Sequence, residues 1–129
     1  MSQLRAEETV ERLQQLQGEL IKIIKAVDNR SRLKTLISLM STPRAFQDIK
    51  GITGLEKSTL SIHLNTLIDA SLVEKYQHGV YRITDMGLEF LESLLKVYSN
   101  QIKREARAQQ AAMKREMTET FLQRGRMKL

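Results

Sequence analysis

The sequence predicts a mainly α protein with one small β-hairpin, built around a helix-turn-helix and flanked by long N- and C-terminal helices. Three observations predict it. The stretch AFQDIKGITGLEKSTLSIHLNTLIDA, residues 45–70, holds two apolar helical patterns separated by glycines. Two short runs rich in Val, Tyr and Ile surround Gln77-His78-Gly79. The flanks, Glu7 to Val27 and Asp85 to about Arg124, repeat apolar residues at helical spacing with no proline inside them.

In chain order, Glu7 to Val27 forms a first helix, with Val10, Leu13, Leu20, Ile24 and Val27 in line and Leu16 and Ile23 widening the stripe. A stripe this wide calls for two neighbours, the second being the last helix or its copy in another subunit. Asp28 caps the next helix, whose inward positions are Leu33, Leu36, Ile37 and Met40, and Ser41-Thr42-Pro43 ends it. Arg30, Arg32 and Lys34 are solvated-face residues within reach of a phosphate.

Within the helix-turn-helix, Phe46 and Ile49 point inward and Gly51 and Gly54 break the first helix, placing the turn at Gly51 to Leu55. From Glu56, the residues Leu60, Leu64, Leu67 and Ile68 make the buried stripe of the second helix. Its other face is short, polar and rich in donors. The hairpin pairs Leu72–Tyr76 with Val80–Thr84 through a three-residue turn with Gly79 left-handed, which sets Val73 opposite Ile83 and Glu74 opposite Arg82. Thr84 then caps a helix of roughly 60 Å. Its apolar line, Leu91, Leu95, Tyr98, Ile102, Ala106, Met113, Met117 and Phe121, is too long for so small a protein to bury by itself. The line exceeds a 3.5-residue spacing, so a nearly straight antiparallel or short helical bundle fits it better than a regular left-handed coiled coil. The weaker alternative is a disordered basic tail after about Ala106.

Three segments, VDNRSRLKTLISLM, GLEKSTLSIHLNTLIDASLV and VYRITDMGLEFL, together resemble the winged helix-turn-helix regulators of the ArsR and MarR type over about half the chain. The resemblance implies a DNA-binding homodimer with a wing at the hairpin. Two positions depart from the pattern. Ser71 stands where such proteins place a glycine to end the recognition helix, at a cost on the order of 1 kcal/mol if it is left-handed. Ile62 stands where they often place a polar or basic residue. The cysteine and histidine clusters of the metal-sensing ArsR members have no counterpart here.

Composition narrows the function classes. The 129 residues are one domain's worth, organised as an N-terminal dimerisation helix (1–27), a winged helix-turn-helix (28–84) and a long C-terminal helix with a basic tail (85–129). Aromatic content of 5% without Trp argues against a base-stacking platform, and the absence of Cys removes disulfides and thiolate metal sites. Neither a membrane-spanning run nor a signal peptide is expected, which places the protein in the cytoplasm, on the nucleoid. The net charge of +6 is unevenly placed. Basic against acidic residues number 4 and 5 in 1–28, 8 and 4 in 29–84, 1 and 3 in 85–100, and 8 and 3 in 101–129. The helix-turn-helix and the C-terminal segment hold the positive charge, which suits a polyanion.

Apparent catalytic motifs dissolve on inspection. The run from Gly51 to Lys57-Ser58 imitates a phosphate-binding loop, but Glu56 occupies the position of its last glycine. Ser61 and His63 are two residues apart on one helix and point away from each other, so they form no triad with Asp69. His63 and His78 are the only histidines, too few for a metal site without carboxylates or a second subunit. Met113, Met117 and Met127 are helix-packing residues rather than soft-metal ligands. No enzyme, metal or cofactor is expected.

The expected function is transcription regulation by a homodimer bound to double-stranded DNA. The helix from about Glu56 to Ala70 enters the major groove and offers Glu56, Lys57, Ser58, Thr59, Ser61, Ile62, His63 and Asn65. Asn65 suits adenine in bidentate fashion, Lys57 guanine or a phosphate, and Glu56 cytosine or the helix end. Lys75, His78 and Arg82 of the wing brush the backbone. Leu13, Leu20, Ile24, Leu91, Leu95, Tyr98, Ile102, Met113 and Met117 serve dimerisation. Two rivals stay open: a chromatin-like protein coating DNA with little sequence preference, and a protein-interaction module using the long last helix. No small-molecule effector is assigned.

Overall fold

The structure, a computed structural model, describes residues 2–127. Its elements are α1 (Ser2–Gln15), α2 (Gln17–Val27), α3 (Arg30–Ser38), β1 (Arg44–Ala45), α4 (Phe46–Thr53), α5 (Lys57–Asp69), β2 (Val73–Gln77), β3 (Val80–Ile83) and α6 (Asp85–Met127). Met1, Lys128, Leu129 and the side chains of Ser2, Arg126 and Met127 lie outside the described residues. The chain divides into two units, one running to Leu91 and the other starting at Glu92.

The first unit is held by leucines. Leu36 of α3 and Leu39 just after it, Ile49 of α4, Leu60, Leu64 and Leu67 of α5, and Leu72 and Val73 at the sheet are all within 2% of complete burial. Each such side chain contributes roughly 1.5–3 kcal/mol relative to exposure. Phe46, Leu55, Ile68, Tyr81 and Ile83 pack around them, and Ala26 and Leu91 close the ends.

The helix-turn-helix forms where the glycines predict it, one step later than expected. Gly51 is helical, and α4 runs on to Thr53, because only Gly54 takes the left-handed conformation (φ 70°) that stops a helix. The turn is therefore Gly54 to Glu56. In α3 the cap is Asn29 rather than Asp28: its side chain accepts from the Arg32 N–H at 3.0 Å. The buried face also differs from the expected one. Thr35, Leu36 and Leu39 are buried, Leu33 is half-buried, and Ile37 and Met40 are 52% and 39% exposed. A threonine belongs in this core because its hydroxyl donates to the Ser31 carbonyl at 2.8 Å, leaving only its methyl to pack.

The wing keeps the expected register, Val73 opposite Ile83 and Glu74 opposite Arg82. Its tip differs. The pairing continues through Lys75–Tyr81 and then slips, so that Gln77 meets Val80. An irregularity at Tyr76 absorbs one residue and leaves a two-residue turn, His78-Gly79, with Gly79 at φ 73°. A third strand, β1, lies on the other side of β3 with Arg44 opposite Tyr81. It is two residues long, too short to show an alternation in sequence.

The corner between α5 and the wing is tightly bonded. The N–H of Ser71 donates to Ile68 O and that of Leu72 to Leu67 O, closing the end of α5 around Ser71, which is left-handed at φ 63°. Thr84 caps α6 as expected: its Oγ1 accepts from the Gly87 N–H at 3.0 Å and donates to the Ser71 carbonyl at 2.6 Å. Gly87 sits so close to this corner that an added Cβ would collide with the Leu72 carbonyl oxygen and lie 2.8 Å from Ile83 Cγ1.

The N-terminal helix is two helices, not one. It begins at Ser2 and is interrupted at Leu16, whose N–H is shared between Arg12 O and Leu13 O. Gly18 follows two residues on, a residue that weakens a helix. Along it Val10, Leu13 and Ile24 are exposed, Leu20 and Ile23 half-buried. α6 is helical to Met127 without interruption. Among its described side chains, Leu95, Tyr98, Ile102, Met113, Met117 and Phe121 are more than half exposed. Leu91 is the exception on the expected dimerisation line. At 7% exposure it belongs to the core of the first unit, because the start of α6 still lies over that core.

Candidate nucleic-acid interface

α5 presents two chemically opposite faces. Leu60, Leu64 and Leu67 are fully buried, and this fixes which side chains look outward. Lys57, Ser58, Ile62 and Asn65 are exposed, while Thr59, Ser61 and His63 are half-buried beside them. Ser58, Ser61 or Ile62, and Asn65 follow one another at i, i+3 or i+4, and i+7, so they share a ridge along the helix. Lys57 is the first helical residue. Glu56 before it has extended backbone (ψ 151°), its carbonyl accepts from Leu60, and its carboxylate makes no capping hydrogen bond. The carboxylate is exposed and free to receive a donor. A shallow cleft beside it is lined by Gln47, Lys50, Gly51, Gly54 and Leu55 as well.

Ile62 occupies the middle of this ridge at 64% exposure. It can offer apolar contact but no hydrogen bond, whereas Lys57, Ser58, Ser61 and Asn65 around it carry polar groups.

At the wing, Lys75 and His78 are exposed. Arg82 is engaged within the hairpin. Its Nε donates to Glu74 Oε1 at 2.6 Å, and its guanidinium carbon lies 4.6 Å from the centre of the Tyr76 ring. Both charged groups are nearly half exposed, so the pair is worth no more than about 1 kcal/mol and leaves donors on Arg82 facing solvent.

His63 differs from its neighbours. Its Nδ1 lies 3.0 Å from a guanidinium nitrogen of Arg32. Burial, and after it the charge of Arg32, hold the imidazole below its ordinary value of about 6.5. The sequence places Arg32 on a solvated face. It is instead half-buried, with Nε donating to Ala26 O at 2.6 Å and a terminal nitrogen to Lys25 O at 3.1 Å. Nothing local in the sequence signals this, since the partners are six, seven and 31 residues away. Arg44 plays a similar part at α3, donating to Ser38 O at 2.8 Å.

Among the described residues no three of His, Cys, Asp and Glu converge, and no helix is long and apolar enough to cross a membrane.

Comparison with known proteins places this geometry. A sequence profile of bacterial regulatory proteins of the arsR family matches residues 29–75, which hold α3, the helix-turn-helix and the start of the wing. The homodimeric winged helix-turn-helix DNA-binding domain of a possible ArsR-family transcriptional regulator from Mycobacterium bovis is 30% identical. That match covers 70% of this chain and 86% of the relative, with a TM-score of 0.59. NolR from Sinorhizobium fredii is 25% identical over 67% of this chain and 91% of its own, with a TM-score of 0.58. Reduced HlyU from Vibrio cholerae, 24% identical over 68% and 97% with a TM-score of 0.57, shares the fold. No protein of curated function matches. From the profile match on the helix-turn-helix and the Mycobacterium bovis relative, the chain belongs to the ArsR family of bacterial regulatory proteins, with a winged helix-turn-helix fold.

Proposed function

We propose that this chain is a homodimeric transcription regulator that binds double-stranded DNA in the cytoplasm, with α5 in the major groove. One observation carries the reading: complete burial of Leu60, Leu64 and Leu67 leaves Lys57, Ser58, Asn65 and the half-buried Ser61 along the opposite side, a ridge that starts at the N-terminal end of α5 where the helix dipole favours phosphate. Asn65 reads adenine, Lys57 meets guanine or a phosphate, and Glu56 accepts from cytosine. Lys75 and His78 touch the backbone from the wing, with Arg82 adding its free donors. Two copies pair through Leu13 and Ile24 of the N-terminal helices and Leu95, Tyr98, Ile102, Met113 and Met117 of α6, all exposed in the single chain. A two-fold pair asks for a pseudo-palindrome with half-sites roughly 34–36 Å apart or a multiple of that.

The test is selection from a labelled random duplex pool across a salt series, with Asn65→Ala and Lys57→Ala in parallel. A two-fold motif should emerge. Asn65→Ala should blur one base position, and Lys57→Ala should weaken every duplex and lower the salt slope by about one. Equal losses on all sequences for both variants would refute base reading by Asn65.

A second reading draws on Ile62. An apolar residue at the centre of the ridge limits polar readout and favours a chromatin-like coating protein with little sequence preference. Tight, unenriched binding with a steep salt slope is its signature.

A further inference from the structure

Arg32 stands where three helices meet. It extends from α3, and two of its donors take the Ala26 and Lys25 carbonyls, which the end of α2 leaves without partners of its own. A third nitrogen lies 3.0 Å from Nδ1 of His63 in α5. A guanidinium has donors and no acceptor, so this contact is a hydrogen bond only when Nδ1 is bare. The ring is then neutral with its proton on Nε2.

We infer that Arg32 and His63 form a positioning pair that holds the recognition helix against the end of α2, so that protonation of the ring releases α5 and weakens DNA binding. The inference rests on the assignment of α5 as the DNA-reading element. A protonated ring has only donors, and its Nδ1–H would face a guanidinium across 3.0 Å. The bond is lost and two cations are set against each other. The lowered titration of His63, caused first by burial and then by Arg32, agrees with this geometry. Among the described residues no other charged group is hydrogen-bonded to the ring. Lys22 and Lys25 of α2 and Lys75 of β2 are exposed, and Glu74 of β2 is bonded to Arg82.

The sign of the pH effect separates this role from direct contact. A histidine touching a phosphate gains positive charge on acidification and binds more tightly. A histidine held by Arg32 loses its bond and binds more weakly.

The experiment measures binding of the full chain to a labelled mixed-sequence duplex at low salt, between about pH 8 and pH 5. Imidazole titrations of the free protein are followed by NMR alongside it. Affinity should fall roughly threefold to tenfold toward acid, the net worth of one ordinary hydrogen bond. His63→Asn places a non-titrating acceptor at the same distance along the side chain and should remove most of that fall, whereas His63→Leu should begin at the weakened level and stay there. Arg32→Gln, which keeps a donor and removes the charge, should raise the His63 midpoint in the free protein. Tighter binding in acid that His63→Asn abolishes would make His63 a phosphate contact and overturn the pair. Identical pH profiles for wild type and His63→Asn would overturn it as well. Failure to bind duplex at any pH refutes the DNA-reading assignment and the consequence drawn for DNA, while an Arg32→Gln titration that does not move refutes the pair itself.

Discussion

Ser71→Gly should stabilise this protein, and the size of the effect follows from the corner between α5 and the wing. Ser71 has φ 63°, a conformation that costs an L-residue roughly 1–2 kcal/mol. Its backbone is held there by bonds that glycine would keep. Its N–H donates to Ile68 O at 2.9 Å, and its carbonyl receives the Thr84 hydroxyl at 2.6 Å. Its side chain is exposed and packs nothing away from water. Glycine gains back the left-handed penalty and loses about 0.4–1 kcal/mol to greater freedom in the unfolded chain. The net gain is about 0.5–1 kcal/mol, or roughly 2–4 °C in Tm for a chain of this length. Urea unfolding at one fixed protein concentration measures it, since association would shift the midpoint independently. The midpoint should rise with the slope unchanged. An unchanged or lowered midpoint would refute the claim that this residue, rather than its bonds, carries the strain.

Gly87→Ala should do the opposite at the same corner. The new methyl collides with the Leu72 carbonyl, so a loss of roughly 1–3 kcal/mol in urea unfolding is expected, and a neutral result would mean that α6 shifts freely. Leu64→Ala, at 1% exposure in the middle of α5, should cost about 2–5 kcal/mol by the same measurement. Because His63 titrates below its ordinary value when folded, its contribution is fully present above about pH 6.5 and is lost as pH falls through the folded midpoint. The urea midpoint of wild type should therefore drop in acid more than that of His63→Asn. Tyr98→Asp with Ile102→Glu places charge on a face that is 67% and 51% exposed in the single chain; sedimentation should show monomers if this face joins two copies, and an unchanged mass would exclude it.

Much of the fold was legible because its signals are local. The stripe Leu60, Leu64 and Leu67 is a helix period that only one orientation of α5 can bury, and the structure buries all three. The register Val73–Ile83 followed from matching apolar with apolar and charge with charge across a hairpin. Thr84 could be identified as a cap from its place before Asp85. What escaped depends on partners distant in sequence or on conformations that several residues can adopt. Gly51 and Gly54 look alike in sequence, yet only one has positive φ. The wing's extra residue fits a three-residue turn equally well on sequence but sits in an irregular strand pairing at Tyr76, since both solutions preserve the same inner pairs. Asp28 and Asn29 are equally good caps on chemistry alone, and apolar spacing points to Ile37 and Met40 where the structure instead buries Thr35, whose hydroxyl is satisfied within the helix.

The same division runs through the interface, and it separates two kinds of residue that share one helix. Side chains that face outward are predictable from the buried stripe, because burying Leu60 and Leu64 leaves Ser58, Ile62 and Asn65 no other direction. His63 lies between these sets, one residue before a buried leucine, and periodicity alone assigns such a border position to neither. Its side is decided by Arg32, 31 residues earlier, whose three donors find two carbonyls of α2 and one ring nitrogen of α5. An arginine commits this many donors only where the geometry is held from several directions. Outward residues are therefore fixed by the buried stripe alone, whereas position 63 needs a side chain that can accept from Arg32.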